Sequence, residues 1–123
     1  MFYDGLQDPW QGQIMGNYAE ETANKYSFSR DEQNAFAIES VNRAQSAVSD
    51  GSFADEISPV TMSTRKGDVT LDTDETPGTV SVEKIPTLRP AFAKDGTVTA
   101  ATSSSISDAA SALILMTASE PER

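Results

Sequence analysis

The element that the sequence defines best is one long helix between Ser29 and Gly51. Ser29 and Glu32 form an S-x-x-E capping box, in which each side chain can accept a hydrogen bond from the other residue's backbone N–H. Gly51 suits a left-handed cap at the other end. Apolar residues recur at spacings of three and four, which is typical of one helical face, at Ala37, Ile38, Val41, Ala44 and Val48. The polar residues expected to face solvent are Arg30, Asp31, Asn34, Gln45 and Ser49. We predict that this helix is scaffold.

A shorter helix is predicted in front of it, over residues 18–26. Asn17 is a suitable N-cap residue, and Glu20 and Glu21 lie near the positive end of the helix dipole. Residues 1–16 are rich in turn residues but carry several large apolar side chains, which a free linker would not have. We expect an ordered loop that covers another surface, and Trp10 in that loop equally suits the core of its own domain.

Residues 52–92 carry a different pattern. Residues 57–62 are predicted to form a short strand with Pro59 near its start, and residues 69–73 alternate like a second strand after a turn at residues 65–68. The acidic residues 68–75 do not match the spacing of a calcium loop, so we predict a solvated turn and no metal site. Pro86 and Pro90 predict an extended crossing over residues 79–92.

Composition excludes several classes of function. The chain has 123 residues, a net charge of −10, no cysteine and no histidine. The acidic balance argues against binding nucleic acid or an anionic membrane through a basic surface. The missing residue types exclude disulfides and a cysteine nucleophile within these residues, and remove the commonest general base. No signal peptide is visible, and no apolar run approaches the roughly 20 residues of a transmembrane helix, so we expect a cytoplasmic protein.

The last third of the chain has a distinctive order of segments. A turn at residues 94–96 precedes a predicted strand over residues 97–102, which runs into a cluster of small hydroxyl residues that ends at Ser105. Asp108 and an apolar run over residues 109–116 follow. Small residues before a buried element allow another molecule to approach the backbone closely. Periodicity alone leaves the apolar run open between a helix and a buried strand.

This order resembles the thiolases, acyl-CoA acyltransferases that form or cleave β-ketoacyl-CoA. The resemblance includes LRPAF at residues 88–92, DGTVTA at residues 95–100, and the segments 4–40 and 66–78. It implies an α/β fold in which helices and short strands of a loop domain precede strands of the core sheet, with residues 109–116 as one of these strands. Residues 1–92 would be the loop, or lid, domain and residues 93–123 the end of the N-terminal catalytic half. We expect an excerpt of a longer subunit; the alternative is a complete small domain.

The resemblance also implies which residues meet the substrate. In thiolases a cysteine carries the acyl group, a second cysteine moves a proton and a histidine helps to hold the thioester oxygen; none is present here, so no catalytic residue is assigned and the chain alone is expected to be inactive. Leu6 matches an apolar wall of the coenzyme A tunnel, and Met15 matches a residue beside the reactive thioester end. Ser104 matches the serine that binds the pantetheine amide. Ser103 and Ser105 flank Ser104 and are expected on the same path. Coenzyme A is a substrate here, so no resident cofactor is expected, and the parent subunit would be a dimer or tetramer.

Three positions depart from the family pattern. Ile14 stands where several members have a histidine, Thr102 where asparagine is usual, and Ala109 where glycine is usual. The first change removes a hydrogen-bond donor and predicts a preference for more apolar acyl chains. Arg89 is a candidate partner for a coenzyme A phosphate or for a local carboxylate, and Arg65 and Lys66 are further phosphate candidates.

Two other functions fit the same residues. A protein with this fold that has lost its cysteines would bind acyl-CoA without catalysis. A standalone interaction domain would also use the loop-domain fold, and it predicts one cooperative unfolding transition for the isolated chain.

Overall fold

The computed structural model describes residues 2–107 and 109–117. Helices supply most of its regular structure, beside one antiparallel sheet of two strands, so the predicted α/β class is confirmed. A π-helical turn, Phe2–Leu6, precedes two long helices. The remaining elements in chain order are α1 (Met15–Tyr26), α2 (Arg30–Asp50), β1 (Val60–Thr64), β2 (Gly67–Leu71), α3 (Thr76–Thr79) and two 3₁₀ turns, Val82–Thr87 and Ala100–Thr102.

The long helix α2 has both predicted ends. The Ser29 N–H donates to a Glu32 carboxylate oxygen at 2.8 Å, and the Glu32 N–H donates to the Ser29 hydroxyl oxygen at 3.2 Å. Gly51 follows the last turn with φ of 75°, the left-handed conformation that glycine adopts without strain. Because both signals are local in sequence, they fix the helix bounds without help from the rest of the fold.

The predicted solvent face of α2 is partly wrong. Asn34 is buried, and Arg30 and Gln45 are half-buried. The Gln45 side chain donates to the backbone carbonyl of Pro77 at 2.8 Å, and the Arg30 guanidinium donates to that of Leu88 at 2.7 Å and, through Nε, to the Asn34 amide oxygen at 3.0 Å. These polar side chains therefore satisfy carbonyl groups of the segment that crosses α2.

The capping box also affects a titration. Hydrogen bonds from the Ser29 backbone N–H and from its hydroxyl lower the pKa of the Glu32 carboxyl below its ordinary value. A carboxyl whose pKa is lower in the folded chain than in the unfolded chain contributes stability above its unfolded pKa. That contribution is lost as pH falls through the folded pKa.

Replacement of Ser29 by alanine is expected to destabilise the chain by about 1 kcal/mol near neutral pH, because the N-terminal amides of α2 lose their cap. Urea unfolding measures the difference, and it is expected to shrink in acid, where the Glu32 carboxylate becomes protonated. Ser46→Ala, at an exposed site on the same helix, is the control and should change stability by less than about 0.5 kcal/mol. A pH-independent cost for Ser29→Ala would contradict the coupling to Glu32.

Helix α1 begins earlier than predicted. Its N-cap is Ile14, which makes no side-chain cap, and not Asn17. The Asn17 side-chain amide instead donates to the Gln13 side-chain oxygen at 3.3 Å, one turn back. The earlier start is possible because Gly16, without a side chain, lies against the ring of Phe92.

The predicted hairpin is confirmed with shifted bounds. β1 begins at Val60, directly after Pro59, and pairs antiparallel with β2 from Val60 opposite Leu71 to Thr64 opposite Gly67. All residues of both strands except Leu71 are exposed. Among the described residues no cluster of three or more acidic, histidine or cysteine side chains is arranged to hold a metal ion.

The extended crossing predicted after the hairpin is wrong over Val82–Thr87, which forms a 3₁₀ turn that contains Pro86. The Lys84 N–H donates to the Ser81 carbonyl at 3.1 Å, and proline, which has no N–H, is tolerated because short 3₁₀ turns leave many amides unpaired. Within this turn Ile85 is only 1% exposed. The crossing thereby supplies a large apolar side chain to the core against α2.

The core-sheet strands expected near the C-terminus do not form in the described residues. Residues 97–99 have no regular structure and Ala100–Thr102 is a 3₁₀ turn. The N–H groups of Thr97 and Val98 are not available to a neighbouring strand, because both donate to the Glu20 carboxylate.

The apolar run is also not a strand. Residues 109–117 have no regular structure, and Leu115 is 95% exposed. No strand of the described part lies beside the run to pair with it, and a strand cannot form without a partner. Asp108 lies outside the described residues. Trp10 is 88% exposed, so in the described part of the chain it does not fill the core of its own domain. The domain boundary predicted at residue 92 stays a prediction.

Candidate ligand-binding cavity

A cavity of about 380 Å³ lies between the start of α1, the N-terminal segment and the loop after Val98. One side is apolar and is lined by Phe2, Leu6, Ile14, Met15, Phe92 and Ile106. Three small hydroxyl residues, Thr102, Ser103 and Ser104, line the cavity as well, and we call them the hydroxyl wall. The cavity thus contains four of the five predicted site residues; Ser105 is exposed and is not among its lining residues.

The three members of the hydroxyl wall differ in how far their side chains are already engaged. Thr102 accepts a hydrogen bond from the Thr99 N–H at 2.8 Å, and the Ser103 hydroxyl donates to the Thr99 carbonyl at 2.7 Å. Ser104 is exposed, and no side-chain hydrogen bond to it is found within the described part of the chain. Its hydroxyl is therefore the one most available to a ligand. Thr99 itself is fully buried, and its side-chain oxygen has no hydrogen-bond partner in the described part of the chain.

The N-terminal segment is attached to α1 at two points. Gln7 and Ile14 form an antiparallel bridge, and the Tyr18 hydroxyl donates to an Asp8 carboxylate oxygen at 3.0 Å. Desolvation, followed by the hydrogen bond to Asp8, raises the pKa of the Tyr18 phenol above its ordinary value. These contacts place Leu6 on the same cavity as Met15.

The hydroxyl wall is attached to α1 through Glu20. Glu20 is only 7% exposed, and its carboxylate accepts the N–H of Thr97 at 2.9 Å and the N–H of Val98 at 2.9 Å. Gly96 adjoins it so closely that a Cβ there would overlap the carboxylate. From the sequence, Glu20 is expected only near the positive end of a helix, and this role was missed. Because Glu20 and Glu21 are neighbouring residues of the same type, nothing local in sequence shows which of them is buried. Gly96 was a signal, since glycine allows another group to approach the backbone closely.

A second, larger cavity of about 760 Å³ lies between α1 and α2, and the hydroxyl wall lines this cavity as well. The aromatic rings of Phe28 and Phe36 line it, and the ring of Phe36 is 80% exposed. Both volumes fall within the roughly 300–1,000 Å³ that is usual for small-molecule sites. The hydroxyl wall is therefore accessible to a ligand from either cavity.

The predicted phosphate partners do not lie at these cavities. Arg89, Arg65 and Lys66 are exposed, and none of them lines either cavity.

Of the three departures from the family pattern, Ile14 adds an apolar wall to the smaller cavity, and the Thr102 hydroxyl forms hydrogen bonds with backbone groups of its own turn. Ala109 is exposed, so burial does not restrict the space for its Cβ. Within the described residues no helix is both long and apolar enough to span a membrane.

Comparison with known proteins identifies the family of this chain. Residues 1–119 match the sequence profile of the thiolase N-terminal domain. An acetyl-CoA acetyltransferase of Shinella zoogloeoides is 46% identical over 124 residues, which cover 100% of this chain and 32% of that protein. A mitochondrial acetyl-CoA acetyltransferase of Gibberella zeae is 50% identical over 114 residues, with 91% of this chain and 26% of that protein covered.

Solved structures agree with the sequence comparison. The crystal structure of the Bacillus anthracis acetyl-CoA acetyltransferase superposes with a TM-score of 0.74 at 38% identity, and covers 80% of this chain and 25% of that chain. This chain thus spans about a quarter to a third of the length of these relatives. Because the profile of the N-terminal domain matches nearly all of its residues, the chain belongs to the thiolase family.

Proposed function

We propose that this chain is the part of an acyl-CoA acyltransferase that lines the channel for coenzyme A. The reaction of the whole enzyme would be the formation or cleavage of β-ketoacyl-CoA through an acyl-cysteine intermediate. The observation that carries the proposal is the smaller cavity, in which apolar walls from Leu6 and Met15 lie with the hydroxyl wall. The names of the similar proteins, which are acetyl-CoA acetyltransferases, support the same substrate class.

The chemistry of the ligand agrees with this lining. The pantetheine arm of coenzyme A is a thin, mostly apolar chain with two amides, so it needs apolar walls and a few hydrogen-bonding groups. Ser104 offers a free hydroxyl for an amide, and Leu6 and Met15 offer apolar contact. Among the described residues no basic side chain lines the cavity, so we place the phosphates of the ligand outside it, in solvent or against residues elsewhere. Ile14 favours an apolar acyl group.

The reacting groups would come from outside these residues. The chain contains neither cysteine nor histidine, so it has no thiolate to take the acyl group and no imidazole to move a proton. We therefore propose that the isolated chain is inactive and that the full-length product of the encoding gene is active. That product would act in the cytoplasm as a homodimer or homotetramer, with coenzyme A as substrate and without a resident cofactor.

Replacement of Ser104 by alanine is expected to weaken coenzyme A binding by about threefold to tenfold, the loss of one hydrogen bond. Titration calorimetry on the full-length product of the encoding gene measures the effect. Ser107→Ala removes an exposed hydroxyl of the same loop that does not line the cavity, and it should bind like the wild type. Equal affinities for the wild type and Ser104→Ala would contradict the assignment of Ser104.

One observation favours a second function. The absence of cysteine and histidine also fits a protein of this family that binds acyl-CoA without catalysis. The two functions differ in one assay, since only the enzyme converts acetoacetyl-CoA and coenzyme A into acetyl-CoA. Binding without turnover by the full-length product would support the non-catalytic protein and would contradict the enzyme.

A further inference from the structure

Glu20 is a buried carboxylate whose hydrogen bonds join two distant parts of the chain. Its oxygen Oε1 accepts the Val98 N–H at 2.9 Å, and Oε2 accepts the Thr97 N–H at 2.9 Å and the Thr97 hydroxyl at 3.3 Å. Burial of a carboxylate is costly unless such donors replace water. Both backbone donors lie in the loop that leads to the cavity. The hydrogen bonds that offset the cost of burying the carboxylate therefore also fix that loop.

The helix that carries Glu20 also forms one side of the cavity. Met15, Gly16 and Ala19 of α1 line the cavity, and Glu20 follows directly. The same helix therefore both lines the cavity and binds the loop that leads to the hydroxyl wall.

The position of the loop is passed on to the hydroxyl wall by Thr99. Its N–H donates to the Thr102 hydroxyl oxygen at 2.8 Å, and its carbonyl accepts the Ser103 hydroxyl at 2.7 Å and the Thr102 N–H at 3.1 Å. Thr99 follows Val98, whose N–H is bound by Glu20. A shift of Val98 would therefore move both engaged members of the wall.

Gly96 shows how closely the carboxylate fits against the loop. A Cβ at this position would overlap the Glu20 carboxylate and would also approach Ala93 at 3.1 Å. A side chain at this position would therefore displace the Glu20 carboxylate from where it now meets the loop.

We infer that Glu20 is a positioning residue for ligand binding: through Thr97, Val98 and Thr99 it fixes the hydroxyl wall against α1. The part of this inference that concerns coenzyme A rests on the proposed function. Glu20 itself does not line the cavity, so its effect on a ligand acts through the wall.

The test uses Glu20→Ala and Glu20→Gln in the full-length product of the encoding gene, with Glu21→Ala as the matched control. Glu21 is the neighbouring carboxylate on the same helix, and it is exposed. Two quantities are measured: amide hydrogen exchange over residues 97–103, and the affinity for coenzyme A by calorimetry. Where the enzyme turns over, kcat and KM are determined separately.

In Glu20→Ala the amides of Thr97 and Val98 are expected to exchange about tenfold faster or more, since each loses its acceptor. The dissociation constant for coenzyme A is expected to rise about tenfold, and KM is expected to rise more than kcat falls. Glu20→Gln keeps one acceptor oxygen but turns an N–H donor toward the donors of the loop, so it should recover only part of the affinity. Glu21→Ala should match the wild type in every measurement.

Several outcomes would overturn the inference. They are unchanged exchange over residues 97–103 in Glu20→Ala, and a Glu21→Ala effect of the same size. If Glu20→Ala does not fold, Gly96→Ala decides, since it keeps the carboxylate but blocks its approach; wild-type exchange and affinity there would also overturn the inference. Failure of the wild type to bind coenzyme A would contradict the proposed function instead, while the exchange data would still test the role of Glu20 in fixing the wall.

Discussion

Replacement of Ile85 by alanine is expected to lower the free energy of unfolding by about 3 kcal/mol, within the roughly 2–5 kcal/mol usual for a large aliphatic side chain in a core. Ile85 is the largest apolar side chain that is fully buried in the described residues, at 1% exposed. It lies in the 3₁₀ turn Val82–Thr87, which packs on α2. Its truncation removes apolar contacts and leaves a cavity that the turn cannot close, because Pro86 restricts its backbone.

Urea unfolding followed by far-ultraviolet circular dichroism measures this loss. Ile114→Ala is the matched control, because the same side chain is 83% exposed there and its removal should cost less than about 0.5 kcal/mol. Equal effects of the two substitutions would mean that the turn does not bury Ile85 against α2 in solution.

Replacement of Gly16 by alanine is expected to cost about 1–3 kcal/mol and to weaken ligand binding at the smaller cavity. The added Cβ would overlap the half-buried Phe92 ring, so the ring must shift from its place against α1. Gly16 and Phe92 both line that cavity, so a displaced ring changes its shape. Stability and coenzyme A affinity should therefore fall together, and urea unfolding and calorimetry measure the two.

Two further variants separate this overlap from a general effect of replacing glycine. Gly5→Ala adds the same atom where nothing lies within 4 Å, and it should leave stability unchanged or slightly raised. In a Phe92→Ala background, Gly16→Ala should cost much less than it does in the wild type, because the ring atoms that the new Cβ overlaps are gone. An equal cost of Gly16→Ala in both backgrounds would contradict the overlap as the cause.

The sequence predicts best those elements whose signals are local. The helix α2 has its cap at Ser29, its stop at Gly51 and one apolar stripe, all within one segment. The hairpin is likewise defined by alternation and a turn at residues 65–68. The resemblance to thiolases predicted four side chains that the structure brings to one cavity, although their contact with coenzyme A stays a proposal.

The errors lie where structure depends on distant partners. Residues 97–99 carry a strand-like sequence, yet the Glu20 carboxylate takes two of their N–H groups, and Glu20 lies 77 positions from Thr97. Asn34 and Gln45 were expected in solvent because nothing near them in sequence shows that the segment after the hairpin crosses α2. Residues 109–116 were expected to be a strand, but a strand needs a neighbour, and none lies beside them in the described part.

The exposed run at the end of the described chain has a consequence for behaviour in solution. Leu113, Ile114 and Leu115 present adjacent apolar side chains to water, each at least 83% exposed, and such patches favour association between copies. The net charge of −10 opposes that association by mutual repulsion. Repulsion reaches about 30 Å in dilute buffer but only about 3 Å at 1 M ionic strength. The ionic strength of the medium therefore determines how strongly the negative charge opposes association between copies of this chain.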